Sequence, residues 1–128
     1  MENIRIMIVE DEMIVAWSLR MQLESWGYQV TSIQPGGASA ITAYGTEKPD
    51  LVLLDILLGD AVDGISVAEA IKDSGGAAHI FLTASRDPET YQRAVQTRPI
   101  EILSKPYSDL QLKNVLEQAA LAQRKQPI

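Results

Sequence analysis

Leu51-Val52-Leu53-Leu54-Asp55 is the stretch of this 128-residue chain whose reading decides the architecture. Its four apolar residues suit a strand buried on both faces, the habit of parallel sheets. Three other apolar runs also end on a polar residue. Residues 4–9 run into Glu10-Asp11-Glu12, 79–82 into Thr83, and 100–103 into Ser104-Lys105-Pro106. If the four runs are parallel strands of one sheet, their polar ends gather at its carboxyl edge, where open α/β sheets place ligand sites.

The segments between the runs carry helical periodicity, so the chain reads as repeated strand–helix units. Strands are expected at about 4–9, 28–33, 51–54, 79–83 and 100–103, and helices at about 12–26, 37–46, 64–74, 88–97 and 109–124. The second strand is the most polar and suits an edge. Gly27 falls where a helix C′ residue belongs. Asp87-Pro88 reads as an N-cap followed by proline at the first helical position. Ser108-Asp109-Leu110-Gln111 has capping-box spacing. Right-handed crossovers then cover both faces of the sheet. No repeat, low-complexity segment or linker divides the chain, and residues 1–128 read as one domain.

Composition narrows the function. No stretch approaches the roughly 20 apolar residues of a membrane helix, and no signal-peptide pattern opens the chain, so a cytoplasmic address is expected. With no Cys and the single His79, disulfides, thiolate chemistry and zinc sites fall away. A formal charge of −6 argues against direct nucleic-acid binding. The one basic cluster, Arg124-Lys125, reads as a solvated helix end.

The strand-end residues form a chemical kit. Carboxylates of Glu10, Asp11 and Asp55 near one point would repel one another and raise some of their pKa values. A hard divalent ion such as Mg²⁺ (or Mn²⁺) relieves that conflict with oxygen ligands and retained waters. Asp55, held at the end of a doubly buried strand, suits a nucleophile for a phosphoryl donor. Thr83 can donate its hydroxyl to one phosphoryl oxygen and Lys105 supplies a point charge for another. Glu12 reads as an acid favouring a helix N-terminus.

The pattern Glu10-Asp11, Asp55, Thr83-Ala84 and Lys105-Pro106 resembles the receiver domain of two-component response regulators over essentially the whole chain. The resemblance implies a flavodoxin-like, doubly wound, five-stranded parallel sheet in the order 2-1-3-4-5 with five helices. It implies that Asp55 accepts the phosphoryl group from a histidine kinase or histidine phosphotransfer protein. Asp11 and Glu10 would hold Mg²⁺ directly or through water, with Asp55 and the backbone carbonyl of Leu57 completing the site. Thr83 would be the switch hydroxyl and Lys105 the phosphoryl-binding lysine, with a cis bond to Pro106. Such a protein catalyses its own phosphorylation and dephosphorylation without being a turnover enzyme.

The chain departs from the family at two places. Ile102 stands where an aromatic usually reports phosphorylation, three residues before the lysine. Gly59 replaces a proline in the loop after Asp55, which predicts a more mobile loop. Leu57 and Ser85 offer no base or amide to orient an attacking water, so slow loss of the phosphoryl group is expected.

Two surfaces read as interfaces. In the first helix Val15, Ala16, Leu19, Leu23 and Trp26 form the expected core stripe, while Met13, Trp17 and Met21 recur on roughly the opposite face. Such a row suits a partner helix or a homodimer. Tyr91, Ala94, Val95 and Ile102 offer a second apolar face, with Tyr107 expected on the same side. Competing readings are a receiver belonging to a longer transcriptional regulator, a degenerate receiver acting as a constitutive interaction module, an aspartate-nucleophile phosphohydrolase and a flavodoxin-like cofactor carrier. The phosphohydrolase wants a carboxylate where Leu57 stands, and Glu10-Asp11-Glu12 would repel the carrier's phosphate.

Overall fold

The computed structural model describes residues 4–124. Its elements alternate: β1 (Arg5–Val9), α1 (Met13–Ser25), β2 (Gln29–Gln34), α2 (Gly37–Glu47), β3 (Leu51–Leu54), α3 (Gly64–Asp73), β4 (Ala78–Thr83), α4 (Pro88–Gln96), β5 (Glu101–Ser104) and α5 (Asp109–Arg124). The strands make one parallel sheet in the order β2-β1-β3-β4-β5. This is the doubly wound, flavodoxin-like order that the family resemblance implied. Every expected element is present, its ends displaced by no more than a residue.

The side-chain alternation of the strands explains why they read as unbroken apolar runs. Ile6, Ile8, Leu51, Leu53, Ile80, Leu82 and Leu103 point to one face, where α1 and α5 cover them with Ala16, Leu19, Leu23, Leu112 and Leu116. Met7, Val9, Val52, Leu54 and Phe81 point to the other, under Ala40, Ile65, Val67, Ile71 and Ala94 from α2, α3 and α4. Each such buried aliphatic side chain contributes roughly 1.5–3 kcal/mol relative to exposure. Edge strand β2 carries the more polar sequence, and its pairing with β1 slips by a residue between Ile6 and Met7.

Local chemistry sets the boundaries. After α1, the Tyr28 N–H donates to Leu23 O and the Gly27 N–H to Glu24 O, with Gly27 at φ +93°. This is the paired C-terminal capping pattern for which glycine is favoured. It uses the Tyr28 N–H, so β2 starts at Gln29 rather than at residue 28. Asp87 caps α4 by accepting from the Thr90 N–H at 3.0 Å. At α5 the box is reciprocal: the Gln111 N–H donates to Ser108 Oγ at 3.1 Å and the Ser108 N–H to Gln111 Oε1 at 2.8 Å. The Lys105–Pro106 peptide is cis.

Three expectations are corrected or bounded. Val15 is not core: it stands at the flank of the α1 stripe beside an open groove and is 36% exposed. Tyr107 does not share a side with Ile102; it packs with the α1–α5 cluster, whereas Ile102 joins the opposite one. Alternation within β5 separates them, since Ile102 and Leu103 face opposite ways. Of the basic pair at the tail, Lys125 lies outside the described residues. Among those residues no helix is long and apolar enough to cross a membrane.

His79, placed by the sequence inside an apolar run, is a buried structural residue. Its Nε2 lies 2.8 Å from Thr97 Oγ1, and its ring meets Phe81 edge-on at 5.2 Å. Burial, with the Lys72 charge adding, pushes its pKa from 6.5 to about 4. Between those values the unfolded chain binds a proton that the folded chain refuses. Stability is therefore complete above about pH 6.5 and falls as pH drops toward 4. The urea midpoint should accordingly fall between about pH 7 and about pH 5, and fall less for His79→Gln; parallel losses would assign the effect to other groups. Ser108→Ala should cost about 1 kcal/mol in the same measurement, and Ser108→Asn should recover most of it.

Candidate functional site

The ladder of the sheet continues one residue beyond β1, β3 and β5 and sets the site. The Glu10 N–H donates to Gln34 O at 3.0 Å, the Asp55 N–H to Val9 O at 3.0 Å, and the Lys105 N–H to Thr83 O at 2.8 Å. Three backbones that carry candidate groups are thus pinned to the last carbonyl of the neighbouring strand. Their side chains emerge at one carboxyl edge.

Glu10, Asp55 and Lys105 come into direct contact. Lys105 Nζ donates to Asp55 Oδ2 at 3.0 Å and stands 3.8 Å from Glu10 Oε1. Asp55 Oδ1 accepts from the Leu57 N–H at 3.1 Å. Thr83 is buried at the end of β4, and its Oγ1 accepts from the Ser85 N–H at 3.1 Å, which leaves the hydroxyl proton for another acceptor. Of the adjacent acids, Glu10 turns inward and is 4% exposed, while Asp11 and Glu12 are exposed. The loop after β1 thereby settles which acid faces the crevice.

The electrostatics are those of a crowded acid cluster with one cation. Burial raises the Glu10 carboxyl to about 7; Lys105 opposes this, and the charges of Asp55 and Asp11 add to it. Glu10 Oε1 is buried without a hydrogen-bond partner; the Lys105 ammonium faces it only at 3.8 Å, beyond hydrogen-bond reach, which leaves a cost that a closer cation would relieve. For Lys105, burial acts to lower the pKa, but the hydrogen bond and charge of Asp55 with the charge of Glu10 outweigh it and hold the ammonium above its ordinary value. Among the described residues no three acid or histidine side chains make a metal cage on their own. A hard cation here would therefore draw on backbone carbonyl and water besides carboxylate. The orphaned Glu10 oxygen and the excess of carboxylate over ammonium fit such an ion.

Gly64, which sequence reasoning left without a role, shapes the site together with Gly59 and Tyr107, whose contacts the sequence did not show. Gly64 opens α3 against Asp55: a Cβ there would collide with the Asp55 carbonyl. A Cβ at Gly59 would lie 3.2 Å from Asp11 Oδ2, so the loop approaches the acids closely. Both glycines were visible in the sequence, but their neighbours were not. Tyr107 lines a small cavity with Glu10, Leu19, Asp55 and Lys105, and burial pushes its phenol above the ordinary value.

A groove of about 930 Å³ leads from Asp55 and Lys105 outward between α1 and the turn before α5. Ile14, Val15 and Ser18 line its α1 wall, Leu57 and Tyr107 its other parts. Met13, Trp17 and Met21 are exposed as expected, at 40%, 58% and 69%. They lie next to the groove wall rather than on it, and Ile14, 82% exposed and not singled out in the sequence, joins the two. On the other side Tyr91 and Val95 are exposed, Ile102 is half-buried, and Ala94 is buried beneath them.

Comparison with known proteins agrees with this fold. Residues 6–117 match the response regulator receiver domain family. The transcriptional regulatory protein PdtaR of Mycobacterium tuberculosis is 30% identical over 115 residues, covering 90% of this chain and 56% of PdtaR. The transcriptional regulatory protein CseB of Streptomyces avermitilis is 27% identical over 106 residues, covering 83% of this chain and 44% of CseB. The chain thus spans about half the length of the curated relatives it matches. Among solved structures, the signal receiver domain of a modulated diguanylate cyclase from Desulfovibrio desulfuricans superposes with a TM-score of 0.89 at 35% identity, covering 96% of this chain and 98% of that one. The match over residues 6–117 and the shared five-stranded fold show that this chain belongs to the response regulator receiver domain family.

Proposed function

We propose that this receiver takes a phosphoryl group onto Asp55 from a histidine kinase or histidine phosphotransfer protein and passes its state on by protein docking. The observation that carries the reading is the Lys105–Asp55 contact of 3.0 Å beside the orphaned, buried Glu10 oxygen. A carboxylate oxygen of Asp55 attacks phosphorus, the phosphorus–nitrogen bond of the donor histidine breaks, and the imidazole nitrogen leaves with the electron pair and takes a proton. Lys105 holds the carboxylate before transfer and a phosphoryl oxygen afterwards. The Thr83 hydroxyl donates to a second oxygen, drawing its loop inward. Glu10, Asp11, Asp55 and the Leu57 carbonyl would hold Mg²⁺ (or Mn²⁺). Such an ion, when bound, neutralises charge on the transferring group.

In this reading the chain modifies itself once per signal, in the cytoplasm, and is not a turnover enzyme. Its net charge of −6 favours protein partners over direct contact with nucleic acid. The groove and the adjoining Met13–Ile14–Trp17–Met21 surface suit the helices of a phosphodonor, because they begin at Asp55 and offer adaptable Met beside an aromatic anchor. The exposed Tyr91 and Val95 with Ile102 are the second docking face. A receiver within a longer regulator is the alternative setting, supported by relatives about twice this length.

Incubation with Mg²⁺ and a small phosphodonor should add one phosphoryl mass to the protein, seen by intact mass spectrometry. Asp55→Asn and omission of the metal should each abolish the gain, and Lys105→Ala should slow it at least about tenfold. An equal gain on Asp55→Asn would refute the assignment, and a phosphoryl half-life of only seconds would refute slow hydrolysis. Trp17→Ala with Ile14→Ser should lower the rate of transfer from a protein donor while leaving the small-donor rate unchanged. Sedimentation with and without a phosphoryl mimic separates donor docking from dimerisation at the same face.

A further inference from the structure

At the opposite, amino edge of the sheet lies a second cavity of about 610 Å³, bounded by the entries to β3 and β4 and the end of α4. Its size falls within the range of small-molecule sites. Lys72 from the last turn of α3 and Arg98 just after α4 both line it. Among the described residues neither cation is ion-paired. The chain carries 17 acids against 11 bases, yet two cations without an ion pair line this one cavity. Among the described residues the wall holds one acid, Asp50, whose Oδ2 accepts from the Arg5 N–H at 2.9 Å, so the two cations outnumber it.

The cavity floor is polar and built. His79 and Thr97 are 5% and 4% exposed. Thr97 Oγ1 gives its proton to Ala94 O at 2.7 Å, so it accepts from His79 Nε2–H. The other ring nitrogen, Nδ1, is then an unprotonated acceptor with no partner in the described protein. Tyr44 Oη accepts from the Ala77 N–H at 2.8 Å and keeps its own proton to donate, and its ring forms an apolar wall. Charge for an anion, an acceptor for an N–H or O–H, and a flat apolar surface thus meet in one place.

We propose that this cavity binds a small organic anion of about mononucleotide size, its phosphate or carboxylate held by Lys72 and Arg98 and an N–H or O–H of its body donated to His79. The cavity and the acid cluster stand at opposite ends of β4, so an occupant does not obstruct Asp55.

The test uses the full chain labelled with ¹⁵N and titrated with AMP, GMP, citrate and inorganic phosphate, read by amide chemical shifts. At least one organic anion should shift Ala77, Ala78, Thr97 and Arg98 saturably, and bind more tightly than inorganic phosphate. Lys72→Gln with Arg98→Gln should weaken that binding at least about tenfold, with the rest of the spectrum and phosphorylation of Asp55 unchanged. Tighter binding of the nucleotides points to a phosphate ligand and of citrate to a carboxylate; either supports the site. No saturable shift with any probe at millimolar concentration, equal affinity for inorganic phosphate, or unaltered binding in the double variant would overturn it.

Discussion

The hydrogen bond from the Asp55 N–H to Val9 O, 3.0 Å long, continues the β1–β3 ladder past the end of β3. The same extension occurs at Glu10 and Lys105, and the site depends on it. A side chain on a free loop would need to be ordered at each encounter, at an entropic cost of order 1–2 kcal/mol per residue. Here the backbone is already ordered by a sheet with apolar cover on both faces. The Lys105–Asp55 contact, between residues fifty positions apart, is a consequence of register.

That rigidity brings like charges together. Glu10 is packed against Asp55 with a carboxyl raised to about 7 and one oxygen lacking a hydrogen bond. Lys105 compensates only in part, because one ammonium faces more than one carboxylate. Such frustration is unfavourable for the isolated fold, and in the proposed reading it would serve to attract a cation and a phosphoryl group.

The α4 side of the sheet is arranged differently from the acid pocket. Ile102 supplies no aromatic ring to rotate, and it packs beneath the α4 side. The aromatic residue at the pocket is Tyr107, across the sheet, between Lys105 and the groove along α1. In the proposed reading, a movement of Lys105 would reach Tyr107 directly, because the two line the same cavity. The α4 face would feel it through Thr83 and the segment that leads from it to Asp87.

Much of this molecule was legible in the sequence because its signals are local. Unbroken apolar runs, a glycine after α1, Asp87-Pro88 and the Ser108–Gln111 box each act within a few residues, so strands, helices and caps were readable from spacing. Asp55, Thr83 and Lys105 were readable as a set because strand ends in a parallel sheet share an edge. What spacing could not decide was orientation. Glu10 and Asp11 are neighbours with the same chemistry, and only the packed loop turned the first inward. Val15 sits one residue from Ala16, yet the cover offered by α5 and the strands reaches one and not the other. Tyr107 and Ile102 are close in sequence, but the two faces of the sheet divide them. The residues by themselves determined the elements, their order and the chemical kit. The tertiary structure alone decided which side chain meets which, because contacts between distant segments depend on packing that no local pattern encodes.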